Sequence, residues 1–199
     1  LGMLAPGDVR NCVSALAEVD PVMGELLNFR FKDGSLKGHS LGNLFLAALN
    51  ETSSSFDEAV KKFSHLAGVV GTVYPVTNES VTLSALLEDG RLIEGESHIG
   101  VHHDGPKNGI VKLMVNPEKP KAVDGVIKAL EKADIIVLGP GSLYTSIIPN
   151  LLVDGVVDAI KKSNAVKIYV CNIMSQAGET ENYTVSDHLA AIERHSYEG

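Results

Sequence analysis

Cysteine is scarce in this chain. Of 199 residues only Cys12 and Cys171 carry a thiol, they lie near opposite ends, and no C-x-x-C pair occurs. That excludes a disulfide framework and a zinc knuckle, and both thiols read as small core residues of a protein from a reducing compartment. Long apolar runs are absent too: nothing approaches the roughly 20 residues a membrane span requires. Basic residues are outnumbered, 17 Lys and Arg against 25 Asp and Glu, giving a net charge of −8. The basic residues are scattered, which argues against a general nucleic-acid surface, because neutralising many phosphates needs a basic face. A local basic pocket stays compatible with these totals. The opening residues L-G-M-L-A-P-G-D lack a basic segment and an apolar core, so no secretory signal is expected there. They also lack the strand with which a doubly wound domain opens, so the chain reads as a fragment of a longer protein. Neither G-x-G-x-x-G nor G-x-x-x-x-G-K-[ST] occurs. A nicotinamide oxidoreductase is therefore weakly supported, since its fingerprint loop and later acidic partner are missing.

What is present is ordinary globular composition, 44% hydrophobic and 21% charged with 19 glycines, long enough to bury a substantial core. Its focus is D-I-I-V-L-G-P-G-S-L-Y-T-S at positions 134–146. Ile135–Leu138 reads as a buried parallel strand running into a Gly-rich turn. In open α/β sheets ligands bind beyond the carboxyl ends of such strands. Gly139, Pro140 and Gly141 permit close backbone approach, and Ser142, Tyr144, Thr145 and Ser146 follow, with hydroxyls suited to phosphate oxygens. An ordinary strand-to-helix turn capped by Ser142 would show the same pattern.

Periodicity supplies the remaining elements. Asp8 is placed as the N-cap of a first helix to about Glu18, with Val9, Cys12, Val13, Leu16 and Val19 on its apolar stripe. Arg10 and Asn11 then fall in its first turn, where an arginine opposes the helix dipole unless an anion lies nearby. A second short helix runs from Pro21. After the turn at 33–35 comes G-H-S-L-G-N, opening an uncharged and so buried helix with Leu41, Leu44, Phe45, Ala48 and Leu49 on one face. Its polar residues His39, Ser40 and Asn43 cluster at its start. A further helix covers 56–66 with Gly68 as its stop.

The period then changes to two, with strands expected over 72–76, 81–88, 91–99 and 110–115. Asp89-Gly90 signals a two-residue hairpin. His98, His102, His103 and Asp104 lie in a polar loop that fits no zinc pattern, so no metal site is assigned. Helices at 120–132 and 151–162 and a strand at 166–171 complete a helix-strand-helix-strand unit. That places Asn172, Gln176 and Glu179 beside the 139–146 loop. A last helix starts at Ser186. The expected fold class is α/β, a Rossmann-like mostly parallel sheet flanked by helices, read as a single domain over 1–199 with a β-rich hairpin insertion at 70–118.

Five segments together resemble a known family: P-G-D-V-R-N-C-V-S-A-L (6–16), G-H-S-L-G-N-L (38–44), G-P-G-S-L-Y-T-S-I-I-P-N-L-L (139–152), Y-V-C-N-I-M (169–174) and G-E-T-E-N-Y-T-V-S-D-H (178–188). They look like the bacterial gluconeogenesis factor family, YvcK, whose wider superfamily is similar to 2-phospho-L-lactate transferase, CofD. The resemblance implies a cytoplasmic regulator of gluconeogenic growth, cell shape and wall synthesis that binds UDP-N-acetylglucosamine, with protein partners in wall synthesis. It implies Gly139 to Ser146 as phosphate cradle, with Asn172 and Gln176 reading a ribose or base edge. The transferase branch implies Asp8 as the base acting on a deazaflavin acceptor, with Mg²⁺ or arginines carrying the diphosphate and Asp8, Arg10 and Glu179 as candidates. A G-G-G-T-G loop on an opening strand, a D-D-G-G-S-S-G stretch and the family's C-terminal third are not among these residues, so part of the site is expected outside them. Leu- and Val-rich helix faces are compatible with a homodimer.

Overall fold

The computed structural model describes residues 6–18, 21–100 and 109–197. His102, His103 and Asp104 lie outside the described residues. The chain folds as two compact units, residues 1–78 and 79–199.

The first unit is helical: α1 Pro6–Leu16, α2 Pro21–Asn28, α3 Leu41–Glu51 and α4 Phe56–Leu66. Its core gathers Val13, Leu27, Leu46, Phe56, Ala59, Val60 and Phe63. The α3 helix is started by Ser40, whose buried side chain accepts the Asn43 N–H at 3.2 Å. The next helix, α4, begins at Ser55, whose hydroxyl accepts the Glu58 N–H, while Glu58 reaches back to accept the Ser54 N–H at 2.9 Å. Asp57 accepts from the Ser55 hydroxyl and pairs with Lys61 one turn on at 2.9 Å. Gly68 takes φ +57° beyond the end of α4, and its N–H and that of Val69 close onto His65 and Ser64 carbonyls.

Several expectations for this unit are corrected. Asp8 is not the N-cap but the third residue of α1, where its charge still suits the dipole. Cys12 and Leu16 are exposed, and the buried line is Arg10 and Val13 with Val9 and Ala17 beside it. An arginine occupies the face that apolarity alone assigned to the thiol. On α3 the buried residues are Gly42 and Leu46, while Phe45 is exposed. Glycine carries no hydrophobic signal, so the buried face lies about a third of a turn from the one hydrophobic period marks. No strand forms over 72–76; a single bridge joins Ala17 to Val69 instead.

The second unit holds a three-stranded antiparallel sheet, order β2-β1-β3, from β1 Thr82–Leu87, β2 Leu92–Glu94 and β3 Ile110–Asn116. Leu86 faces Leu92 across the hairpin, whose turn spans more than two residues. Leu87 donates to the Arg91 carbonyl, Gly90 takes φ +86°, and the Asp89 carboxylate accepts the Arg91 N–H. The expected strand over 91–99 stops at Glu94 because Gly95, at φ +90°, turns the chain into the short helix α5 Glu96–Ile99. His98 sits in that helix, its Nδ1 against the Glu94 carbonyl.

The parallel strands are β4 Ile135–Leu138 and β5 Val166–Tyr169, in register from Ile135↔Val166 to Leu138↔Tyr169, and an isolated parallel bridge joins Lys121 to Asp154. The fold is α/β, and its parallel part is small. Only Ile136 of β4 is deeply buried; Ile135 and Val137 are 58% and 55% exposed, so one face of the pair is open rather than covered as a continuous apolar run suggests. Helices α6 Asp124–Lys132 and α8 Val156–Lys162 pack on each other, and Pro120 enters as a loop residue before α6. The expected helix over 151–162 is divided. Four residues, Ile148–Leu151, form α7, and Gly155 at φ +83° resets the chain before α8.

The closing helix α9 Val185–Tyr197 is capped by Thr184, whose hydroxyl accepts the Asp187 N–H while Asp187 accepts the Thr184 N–H at 2.7 Å. It docks through His195. The Nε2 of that ring accepts the Leu113 N–H of β3 at 2.9 Å and its Nδ1 lies 2.7 Å from the Ala191 carbonyl. The imidazole therefore donates from Nδ1 and is neutral.

Hydrogen bonds from Ser55 and then Lys61 hold the Asp57 carboxyl down at about 2, and bonds from Ser54 and then Lys62 do the same for Glu58. Both folded values lie below the ordinary carboxylate range. Their contribution to stability is therefore complete above about pH 5 and lost as pH falls toward 2. Urea titrations between pH 7 and 2 are expected to show Ser55→Ala costing about 1 kcal/mol at neutral pH, with a shallower acid decline than the parent.

Candidate functional site

The loop after β4 has a built shape. Gly139 leaves the strand at φ +84°, and a Cβ there would stand 2.8 Å from the Val170 carbonyl oxygen and 3.3 Å from Ile147 Cδ1. Both backbone angle and space require glycine. Beyond Ser142 the chain enters a single π-helical turn, Leu143–Ile147, in which the Ser142 carbonyl accepts from both Ser146 and Ile147. Such turns often occur at functional sites. Leu143 and Tyr144 drive inward and are fully buried with Ala85, Leu87, Leu113 and Ile148. The loop is thus anchored in the core by its own second half.

Chain beyond β5 fixes the first half. Asn172 donates from Nδ2 to the Gly141 carbonyl at 2.8 Å and accepts the Gly141 N–H at 3.2 Å. A flipped amide would lose both bonds, so its orientation is set. Ser142 donates to Gln176 Oε1 at 2.8 Å, and Gln176 donates from Nε2 to Glu179 Oε1 at 2.9 Å. Glu179, 3% exposed, accepts further from the Tyr144 N–H through Oε2 at 2.9 Å and from the Thr145 hydroxyl through Oε1 at 3.0 Å. Three bonds to one carboxylate and one to its glutamine make a partly buried polar network in which each side-chain acceptor oxygen has a partner. Asn150 donates to the Ser146 carbonyl.

Ten of the residues expected at a site are therefore neighbours or linked by hydrogen bonds within the second unit: Gly139, Pro140, Gly141, Ser142, Tyr144, Thr145, Ser146, Asn172, Gln176 and Glu179. The hydroxyls of Ser142 and Thr145 already serve Gln176 and Glu179, as donors. Tyr144 is a core residue, its hydroxyl donating to the Ile110 carbonyl and lying 2.8 Å from the Tyr183 hydroxyl. Burial, then Tyr183, pushes its ionisation far up.

Behind the loop are residues that motif reading passed over. Thr180 accepts the Gln176 N–H and is fully buried. The Tyr169 hydroxyl lies 2.9 Å from His188 Nδ1, with Tyr183 edge-on to the same ring. Burial, then Cys171, pushes Tyr169 up to about 12, and burial lowers His188 against the opposing pull of Asp187. The available signal was the spacing of Gln176, Glu179 and Thr180, three and four residues apart, which folds a tight turn back on itself.

In the first unit, Arg10 is 7% exposed, and its Nη1 and Nη2 donate to Asn28 Oδ1 at 2.8 Å and Asn11 Oδ1 at 2.6 Å. Gly42 packs against the Arg10 stem: a Cβ there would lie 2.9 Å from Arg10 Cδ and 2.6 Å from the Leu27 carbonyl oxygen. Asn43 follows, its Oδ1 buried without a partner. Asp8 and His39 are exposed. The backbone of His39 holds the turn by bonding Leu36 and Phe31. Among the described residues no group of three or more His, Cys, Asp or Glu is placed to hold a metal, and no helix is long and apolar enough to cross a membrane.

The family of 2-phospho-L-lactate transferase CofD matches this chain over residues 1–199. The chain belongs to that family. Within it, a gluconeogenesis factor of Halalkalibacterium halodurans is 47% identical over 96% of this chain and 58% of its own length, and that of Bacillus subtilis is 44% identical over 96% and 59%. A relative from Clostridium acetobutylicum is 49% identical over 98% of this chain but 43% of its own length. A crystal structure of a Bacillus halodurans protein superimposes with a TM-score of 0.92 at 45% identity, covering 96% of this chain and 60% of that one. The chain thus spans roughly half the length of its relatives.

Two substitutions report on the loop. Gly139→Ala is expected to cost on the order of 3 kcal/mol, because a left-handed backbone and a carbonyl collision act together. Glu179→Ala, which strands the Tyr144 N–H, is expected to cost about 3 kcal/mol in urea unfolding, and Glu179→Gln less, since an amide oxygen still accepts.

Proposed function

We propose that this chain is the central part of a nucleotide-sugar-binding regulator of gluconeogenic carbon use, with UDP-N-acetylglucosamine as ligand and roles in cell shape and wall synthesis exerted in the cytoplasm through protein partners. The observation carrying this reading is the 139–146 loop: a glycine-rich strand end, shaped before any ligand arrives, in a chain of the CofD family whose relatives include gluconeogenesis factors. Gly139 and Gly141 let a phosphate approach the backbone, while Asn172, Gln176 and Glu179 act as supports that hold the loop in place. Preorganisation of this kind lowers the ordering cost of binding. Regulation suits the site better than turnover, because its buried carboxylate, Glu179, is committed to loop hydrogen bonds.

A second reading comes from the family itself: transfer of a phosphate ester from a nucleotide-linked donor to a deazaflavin acceptor, with Asp8, exposed on α1, as base and Mg²⁺ on the diphosphate. Calorimetric titration of the intact protein with UDP-N-acetylglucosamine, a guanine nucleotide and NAD separates the two. The regulator reading expects saturable UDP-sugar binding, weakened at least tenfold by Asn172→Ala, with no consumption of the ligand. Sustained turnover with a deazaflavin acceptor that Asp8→Asn abolishes would sink it in favour of the transferase.

A further inference from the structure

His188 is a buried histidine to which the 139–146 loop is tied from two directions. It is 3% exposed and sits in the first turn of α9. On one side its Nδ1 lies 2.9 Å from the hydroxyl of Tyr169, the last residue of β5. The Val170 N–H that follows donates to the Leu138 carbonyl, and two residues further on Asn172 clamps Gly141. On the other side the Tyr183 ring stands edge-on to the imidazole at 5.6 Å, and the Tyr183 hydroxyl lies 2.8 Å from that of Tyr144 in the π-helical turn. Both halves of the loop therefore connect to one ring, through the end of β5 and through Tyr183.

The surroundings oppose a charge on that ring. Among the described residues, the titratable groups around it are Tyr169 and Cys171 at the end of β5, Tyr183 ahead of α9 and Asp187 on α9, with Tyr144 one contact farther out. The α7 helix, packed on α9, has no titratable side chain. Arg194 and His195 lie two turns along α9 and face β3. Tyr169, pushed up to about 12 by burial and then by Cys171, stays protonated and neutral. The carboxylate acting on His188 is Asp187, which is exposed and turned to the Thr184 N–H and hydroxyl. An added proton would lie against neutral rings at the helix end whose dipole repels a cation. Burial, outweighing the pull of Asp187, lowers the ionisation of His188 below the ordinary value of about 6.5.

We propose that His188 is a proton-sensitive latch between the start of α9 and the end of β5. Neutral, it keeps the loop in its clamps; protonated, it leaves its place between Tyr169 and Tyr183 for water, and the Asn172 and Tyr144 ends of the loop loosen together. The folded chain takes up this proton less readily than the unfolded chain. Stability contributed by the latch is thus complete above about pH 6.5 and is lost as pH falls below it. That window lies above the one in which Asp57 and Glu58 act. The latch does not depend on which ligand the loop receives.

The test follows the whole chain by histidine-ring NMR and amide hydrogen exchange from about pH 8 to 5, with exchange expressed as protection relative to an unfolded chain so that solvent chemistry cancels. His188 is expected to titrate below about 6.5, and protection of the Gly141 and Tyr144 amides to fall about tenfold over the same range. His188→Gln still offers a hydrogen bond to Tyr169 but takes no proton, so it is expected to make that protection independent of pH. Should His188→Gln fail to fold, Tyr169→Phe removes one hydroxyl and keeps the ring. It is expected to lower Gly141 protection already at neutral pH and to flatten the acid loss. The proposal is overturned if His188 titrates at or above about 6.5 or if protection is equal at both ends of the range. Acid loss that persists in His188→Gln, or that matches the parent in Tyr169→Phe, overturns it as well.

Discussion

The Glu179 carboxylate holds the second unit's strand-end loop together. A strand-end loop rich in glycine has little reason of its own to keep one conformation, since each glycine surrenders more backbone freedom than any other residue. Here a buried acceptor takes the Tyr144 N–H, the Thr145 hydroxyl and the Gln176 amide at once. Because that carboxylate is buried, leaving any of these donors unmet would be costly, and the cost keeps all of them in place. Tyr144 and Leu143 are then committed to the core, which joins the loop to the β1–β3 sheet and to α9.

The same constraint limits what the loop does chemically. Its side-chain hydroxyls at Ser142 and Thr145 donate to Gln176 and Glu179. Nearby, Asn172 uses both ends of its amide on Gly141. These bonds hold both halves of the loop in one conformation.

In the first unit, small residues matter for what they leave open. Gly42 lets α1, α2 and α3 approach until the Arg10 stem and the Leu27 carbonyl occupy the space a side chain would take. Helix contact and the burial of a cation are thereby one feature. Elsewhere in the unit, capping hydrogen bonds at Ser40 and Ser55 set where α3 and α4 begin, and Gly68 sets where α4 ends.

By itself the sequence determined the elements whose signals are local. The helix Phe56–Leu66 with its stop at Gly68, the strand Ile135–Leu138 and its glycine-rich turn follow from hydrogen bonds and periodicities within a few residues. It also determined that Asn172, Gln176 and Glu179 would lie beside that turn, because two parallel strands must end at the same edge of their sheet. Only the tertiary structure decided the phase and role of side chains. Arg10 rather than Cys12 faces inward, Gly42 rather than Leu44 marks the contact line, and Glu179 turns to the loop backbone instead of outward. Those outcomes depend on partners distant along the chain, such as Asn28 for Arg10 and Tyr144 for Glu179. Hydrophobic period carries no information about where a buried polar group will find its hydrogen bonds.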